Sequence, residues 1–460
     1  MARRPVLSRR NFLNASAIGL GGALLAPSRS RAQTVLADLR GSMDAATYGV
    51  RPGTVDSQSA AFQLAINQAA ADGKPLFLPA GDYLVSNIDL PSGLSIIGVP
   101  GRSRIRYAGD GHLLFANEVN NLRLQGLVIE GDNRRMAGYA PALLHISTGT
   151  NIAIEDCQFL GSAKDGVVFD RVEGRIERCQ LSGARGAAIV SNDGQGIAIR
   201  DNVVTDCADN GILVHRWSAG HDGTQIIGNR IARIGARSDG TGSFGNGIHA
   251  FRADDVMIAN NTIRDCVFSA VRCNAASNVQ IVNNHCAASG ETGLDVEFGS
   301  EGAVIANNVV DDAANGISVG SLSEGGRMAV VQGNLVRNLR LETTLPTDWP
   351  TYGTGISVAA DTTVVANVVE NAPYAGIRAG FGPNLRNVII SQNIVRHASM
   401  GVTVSVVDGV GPSIIRDNIF EDTLDGAVIG MHGWDRATGD LAKTDDVPPP
   451  LLVENNSALS

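Results

Sequence analysis

Residues 256–319 read VMIANNTIRDCVFSAVRCNAASNVQIVNNHCAASGETGLDVEFGSEGAVIANNVVDDAANGISV, and three near-copies of one pattern lie end to end within them. A short alternating apolar strand leads to Asn-x-apolar, a second short strand follows, and a Gly then opens a third. Asn261, Asn284 and Asn308 mark the copies. Outward from here the tripeptide recurs at Asn202, Asn229, Asn334, Asn367, Asn393 and Asn418, with Cys157 and Cys179 in the same place in "CQF" and "CQL". Eleven copies span 261 residues, a mean step of about 26. Period-two alternation and β-branched residues identify strands, and three strands in 22–27 residues leave no room for helices. One such coil cannot bury its own apolar side chains, whereas stacked coils can. The expected fold is therefore all-β, a single-stranded right-handed parallel β-helix of about 11–13 coils. Equivalent Asn residues should form a ladder, each in a left-handed turn position.

Composition agrees with this reading. Of 460 residues 54 are Gly, too many for a coiled coil or a helical solenoid. A 44% hydrophobic content with only 18% charged residues excludes a disordered chain. No apolar stretch of 18 or more residues exists, so no integral membrane segment is expected. The six cysteines show no CxxC pair and are expected to be small core fillers.

The N-terminus carries Ser8-Arg9-Arg10-Asn11-Phe12-Leu13-Asn14, an apolar run from Ala15 to Ala26, and Ser30-Arg31-Ala32 before Gln33. It resembles a bacterial twin-arginine export signal, departing only at Asn14, where Lys is more usual. The resemblance implies that residues 1–32 are a signal peptide, that the export machinery is a partner, and that the protein is periplasmic or secreted. Loss of those residues removes six arginines and no acids, lowering the net charge from −9 to −15. Such a chain is a poor binder of nucleic acid or anionic membrane.

Residues 33–82 are expected to hold a capping helix and the first strand, residues 83–435 the solenoid, and residues 436–460 an irregular C-terminal cap. In "YGVRPGTVDSQSAAFQLAINQAA", Asp56 and Ser57 are candidate caps for a helix with Ala61, Phe62, Ala65, Ile66 and Ala69 on one face. Tyr48-Gly49-Val50, Asp56, Ala65-Ile66 and Pro79-Ala80-Gly81-x-Tyr83 resemble the opening of the pectate-lyase-like superfamily. The whole chain also looks like a family of twin-arginine-translocated β-helix repeat proteins of unassigned function. Neither resemblance fixes a reaction, because β-helices host lyases, hydrolases, epimerases and adhesins.

Two coils are swollen between the Asn and the next Gly-start strand. Asn229 to Gly247 takes 18 residues and Asn334 to Gly355 takes 21, against a usual eight or nine. Two loops on one edge should wall a cleft floored by the Gly-start strands. With the residue after Gly inward, the outward positions are Leu213 and His215, His249 and Phe251, Arg272 and Asn274, Asp295 and Glu297, then Ser318, Ser357 and Arg378. His249, Arg272 and Asp295 should line up at about 4.8 Å intervals, with Glu297 roughly 6.6 Å from Asp295 along the strand.

These residues define the candidate chemistry. Asp295 and Glu297 approach the spacing of an inverting glycoside hydrolase. In a lyase, Arg272 would neutralise a uronate carboxyl or act as base, with His249 or His215 moving the proton. No cofactor is required by the sequence, although Asp295 and Glu297 are candidate calcium ligands. Phe251, Asn274, Trp217, Trp349, Tyr352 and Arg378 are candidate sugar contacts. The expected function is a polysaccharide lyase or glycoside hydrolase, and the alternative is a β-helix that binds a glycan or partner without turnover.

Overall fold

The computed structural model describes residues 41–238, 242–320, 323, 325–343 and 352–459. The proposed signal segment lies outside these residues, as does Trp349. They form a right-handed parallel β-solenoid of about 13 turns with one short helix near the N-terminus. Three inward ladders run along the rod. Ile212, Ile248, Val271, Leu294, Ile317, Ile356, Ile377 and Val402 pair in register on one face. Ile226, Ile258, Ile281, Ile305 and Val331 do so on a second, and Ile231, Ile263, Cys286, Val310 and Val336 on a third. One apolar core joins them from Ala45 to Leu441.

The Asn ladder is present and buried. Asn261 Nδ2 donates to Asn284 Oδ1 at 3.0 Å, Asn284 Nδ2 to Asn308 Oδ1 at 3.1 Å, and Asn308 Nδ2 to Asn334 Oδ1 at 3.0 Å. Each Oδ1 also accepts the preceding Asn backbone N–H, and each Nδ2 also donates to a backbone carbonyl, as Asn308 does to Ile281 at 2.8 Å. Every amide is thereby satisfied without water. The expected left-handed position proves to be one residue earlier: Asn260, Asn283, Asn307 and Asp417 have φ near 57°, while the ladder residues do not. The turn is made by the exposed residue, freeing the ladder Asn to point its side chain inward.

The Gly positions that open the third strands have a different cause. Gly316 has ordinary φ, but a Cβ there would lie 2.2 Å from the Gly355 carbonyl oxygen, so the backbones of successive coils meet where a side chain would stand.

The helix, Ser59–Asp72, buries Phe62, Ala65, Ile66 and Ala69 over the open end of the rod. Gln58, not Asp56 or Ser57, holds the N-cap position and makes no side-chain hydrogen bond there, while Ser57 Oγ accepts from the first helical N–H, of Ser59, at 3.4 Å. The C-terminal segment is more regular than expected. Leu451–Glu454 and Ser457–Leu459 pair with Ser413–Arg416 and Ile419–Glu421, and Asn456 accepts from Asn418 at 2.9 Å as the last ladder rung. All six cysteines are free and buried. Among the described residues no helix is long and apolar enough to cross a membrane.

Candidate active site

The outward register falls where the alternation places it. His249 pairs with Arg272, Arg272 with Asp295, Asp295 with Ser318, Ser318 with Ser357, and Ser357 with Arg378. Beside that row stand His215, Phe251, Asn274 and Glu297.

Of the two long loops, residues 239–241 and 344–351 lie outside the described residues. The first folds down as a cover: Gly242 lies so close over Arg272 that any side chain there would collide with the guanidinium. His249 is 4% exposed, and neither ring nitrogen has a hydrogen bond of good geometry. Burial, with Arg272 adding to it, pushes its pKa down to about 3, so the ring is neutral. His215 lies three coils from Glu297, stacked on Phe251 at 5.3 Å and edge-on to Trp217 at 4.6 Å. Neither histidine joins the carboxyl cluster, and only His249 neighbours Arg272. The alternation shows which side a residue faces but not what folds over it.

Beyond the cover, a cavity of about 460 Å³ opens over the next coils. One end is lined by Glu291, Asp295 and Glu297, the other by Arg378, Phe381 and Asn384, with Tyr352 and Ser357 between. Arg272 Nε donates to Glu297 Oε1 at 2.5 Å, and Asn274 Nδ2 donates to the same oxygen at 3.1 Å. Burial disfavours the Arg272 charge, but Glu297 and Asp295 more than offset it and hold the group protonated. Three carboxyls thus share one guanidinium. Burial raises Asp295, with Arg272 and a Ser318 hydrogen bond opposing. Burial and then Asp295 raise Glu291 to about 7 and Glu297 to about 8.

Sequence reasoning missed Glu291. It sits at the register break between Ser289 and Thr292 within the strand His285–Glu297, outside the regular alternation, and its surroundings come from a distant segment. Arg340 Nη2 and Thr343 Oγ1 reach back to the Ser289 and Gly290 carbonyls at 2.5 and 2.8 Å, bracing the irregular stretch that carries it. The second long loop therefore begins by supporting the acid cluster. The crowding of three acids in "ETGLDVE" was the available signal.

Asp295 and Glu297 do not fit a calcium site. Calcium takes six to eight oxygens, whereas Glu297 is engaged by Arg272 and Asn274. Among the described residues no three His, Cys, Asp or Glu side chains gather as metal ligands. Of the sugar contacts expected, Tyr352 and Arg378 line the cavity. Asn274 serves Glu297, while Trp217 is 70% exposed and does not line the cavity.

Comparison with known proteins places the fold. Among curated proteins no match is found. Solved structures similar to this chain include the N-terminal fragment of bacteriophage phi29 gene product 12, at 16% identity and TM-score 0.53, covering 91% of this chain and 70% of that one. The pre-mature form of the same product matches at 16% identity and TM-score 0.51, over 85% of this chain and only 55% of its own length. The catalytic unit of a GH87 α-1,3-glucanase from Streptomyces thermodiastaticus strain HF3-3 matches at 13% identity and TM-score 0.48, over 91% of this chain and 69% of that one. At such identities the likeness is one of fold. Residues 94–231 and 217–338 match the model of the right handed beta helix region, more than half of the sequence, and this chain belongs to that family.

Proposed function

We propose that the protein is an exported glycoside hydrolase that cuts a polysaccharide in the cavity beside Glu291. The observation that carries this reading is the set of three cavity-lining carboxyls held against one guanidinium. At neutral pH they cannot all ionise. A protonated carboxyl facing a cavity is a general acid, and an ionised neighbour is a base for water. Glu291, raised to about 7 and without a side-chain hydrogen bond among the described residues, is the proton donor in this scheme. Whichever of the coupled Asp295 and Glu297 is left ionised beside Arg272 supplies the base, and Arg272 with Asn274 fixes the Glu297 oxygen.

Hydrolysis is favoured over elimination by the state of the groups proposed as lyase bases. Arg272 is held protonated by its carboxylates, and His249 is sealed beneath the 242–246 segment. A binding role without turnover has its own support in the exposed Trp217 beside His215 and Phe251, a stacking surface outside the cavity.

The test is a polysaccharide panel read for reducing ends and for absorbance near 235 nm. New reducing ends without absorbance, lost in Glu291→Gln, support hydrolysis. Absorbance gain points to a lyase, and binding without product to the second reading. Export through the twin-arginine route is part of the proposal, resting on Arg9 and Arg10. Replacing both with Lys should retain the protein in the cytoplasm, and unchanged export would refute it.

A further inference from the structure

Arg378 occupies the same outward ladder as Asp295, three coils further on, about 14 Å along the rod at 4.8 Å per coil. Its guanidinium lies over the Trp434 ring, 5.4 Å from the centroid. Trp434 in turn contacts Phe381 at 5.1 Å and Tyr374 at 6.0 Å. Arg378 Nε donates to Ser357 Oγ at 3.1 Å. Stacking and this bond fix the plane of the group. Its Nη1 and Nη2 have no hydrogen-bond partner, and no carboxylate pairs with it, among the described residues. Several other arginines on the rod are paired with carboxylates, as Arg337 is with Asp311 at 2.8 Å and Arg396 with Glu421 at 3.2 Å. Burial lowers the Arg378 pKa, the cost of a cation without a counter-charge. A guanidinium held flat presents a donor fork suited to a planar or tetrahedral oxyanion.

We propose that the cavity receives an anionic glycan unit, its carboxylate or sulfate oxygens on Arg378 and its scissile bond toward Glu291, Asp295 and Glu297. The substrate class deepens the hydrolase reading, on which its second half rests. The overall negative charge of the chain cannot attract such a ligand, so selection is local and falls to Arg378.

The experiment is calorimetric titration of the mature chain carrying Asp295→Asn, which suppresses turnover. The ligands are oligouronates, the same oligouronates after carboxyl reduction, and sulfated oligosaccharides. An acidic ligand should bind at least tenfold more tightly than its neutral counterpart, and the uronate and sulfate arms identify the anion. Adding Arg378→Gln should erase that preference, and Arg378→Lys should keep part of it. Should Arg378→Gln fail to fold, Asn384→Asp, which puts a carboxylate into the same wall, should cut the preference tenfold. Equal or tighter binding of the neutral forms, no binding of any acidic ligand, or a preference unchanged by these variants overturns the proposal. Cleavage confined to neutral glycans would leave the hydrolase reading standing and remove this one. Tight acidic binding without turnover by the unmodified chain would do the reverse.

Discussion

Arg272 and Glu297 stand on neighbouring coils, two residues apart in register, and the Arg272 Nε reaches diagonally to Glu297 Oε1 at 2.5 Å rather than to Asp295 directly opposite. That diagonal leaves Asp295 with Ser318 as its hydrogen-bond partner and the three-acid cluster short of positive charge. The chemistry assigned to the cavity follows from this imbalance.

The imbalance should be visible in stability. A carboxyl raised in the folded state binds more protons there than in the unfolded chain. Its destabilising effect is absent below the ordinary Glu pKa and complete above the folded value of about 7 for Glu291. The protein should therefore lose roughly 1–3 kcal/mol between pH 4.5 and pH 8 through this group. Glu291→Gln should flatten that slope, as read by denaturant unfolding across the range. A slope unaltered by the substitution would mean that Glu291 titrates normally.

His249 gives a second pH test. With a pKa near 3, its ring should stay neutral down to pH 5. Imidazole NMR shifts of His249 would show no titration above pH 5. Protonation of His249 near pH 6.5 would show that the 242–246 cover opens in solution.

The Asn ladder supports the rod one buried amide at a time. Asn308→Ala removes the acceptor for both the backbone N–H and the Nδ2 of Asn284, together with the donor to Asn334. Unpaired buried groups cost about 1–3 kcal/mol each, so thermal unfolding should shift clearly downward. Ala at the neighbouring Asn307, whose φ is 57°, should act through backbone strain and cost less. Equal tolerance at both positions would contradict the ladder's role.

Gly316→Ala tests the close approach of successive backbones. Its Cβ would meet the Gly355 carbonyl oxygen at 2.2 Å, and overpacking of this kind costs about 1–3 kcal/mol. Gly325, with no atom within 4 Å of a Cβ, is the comparison for space, although its φ of 91° adds strain. A Gly316→Ala protein as stable as the parent would show that the coils separate freely at that edge.

The sequence carries the solenoid plainly because its repeat is written in buried positions. Asn261, Asn284 and Asn308 recur at fixed places, and the apolar alternation around them fixes which residues face out, down to His249, Arg272 and Asp295 in one line. Legibility ends where function depends on contacts between distant coils. Whether His249 is open or covered depends on Gly242 and Ser243, and Glu291 is placed by Arg340 and Thr343 from a coil further along. The Arg378 end depends on Trp434, beside strands Ile419–His432 and Asp435–Asp440, which pair antiparallel and break the repeat. None of these relationships has a period to reveal it.

The proposed activity requires the acid cluster to perform chemistry. Reducing-end release from a polysaccharide panel, compared between the unmodified protein and its Glu291→Gln and Asp295→Asn forms, measures this directly. Product from the unmodified chain should fall by at least about 100-fold in each variant, the scale of general acid–base catalysis, with unfolding curves at pH 5 unchanged. Undiminished product from both variants, or none from the unmodified chain across the panel, would contradict it.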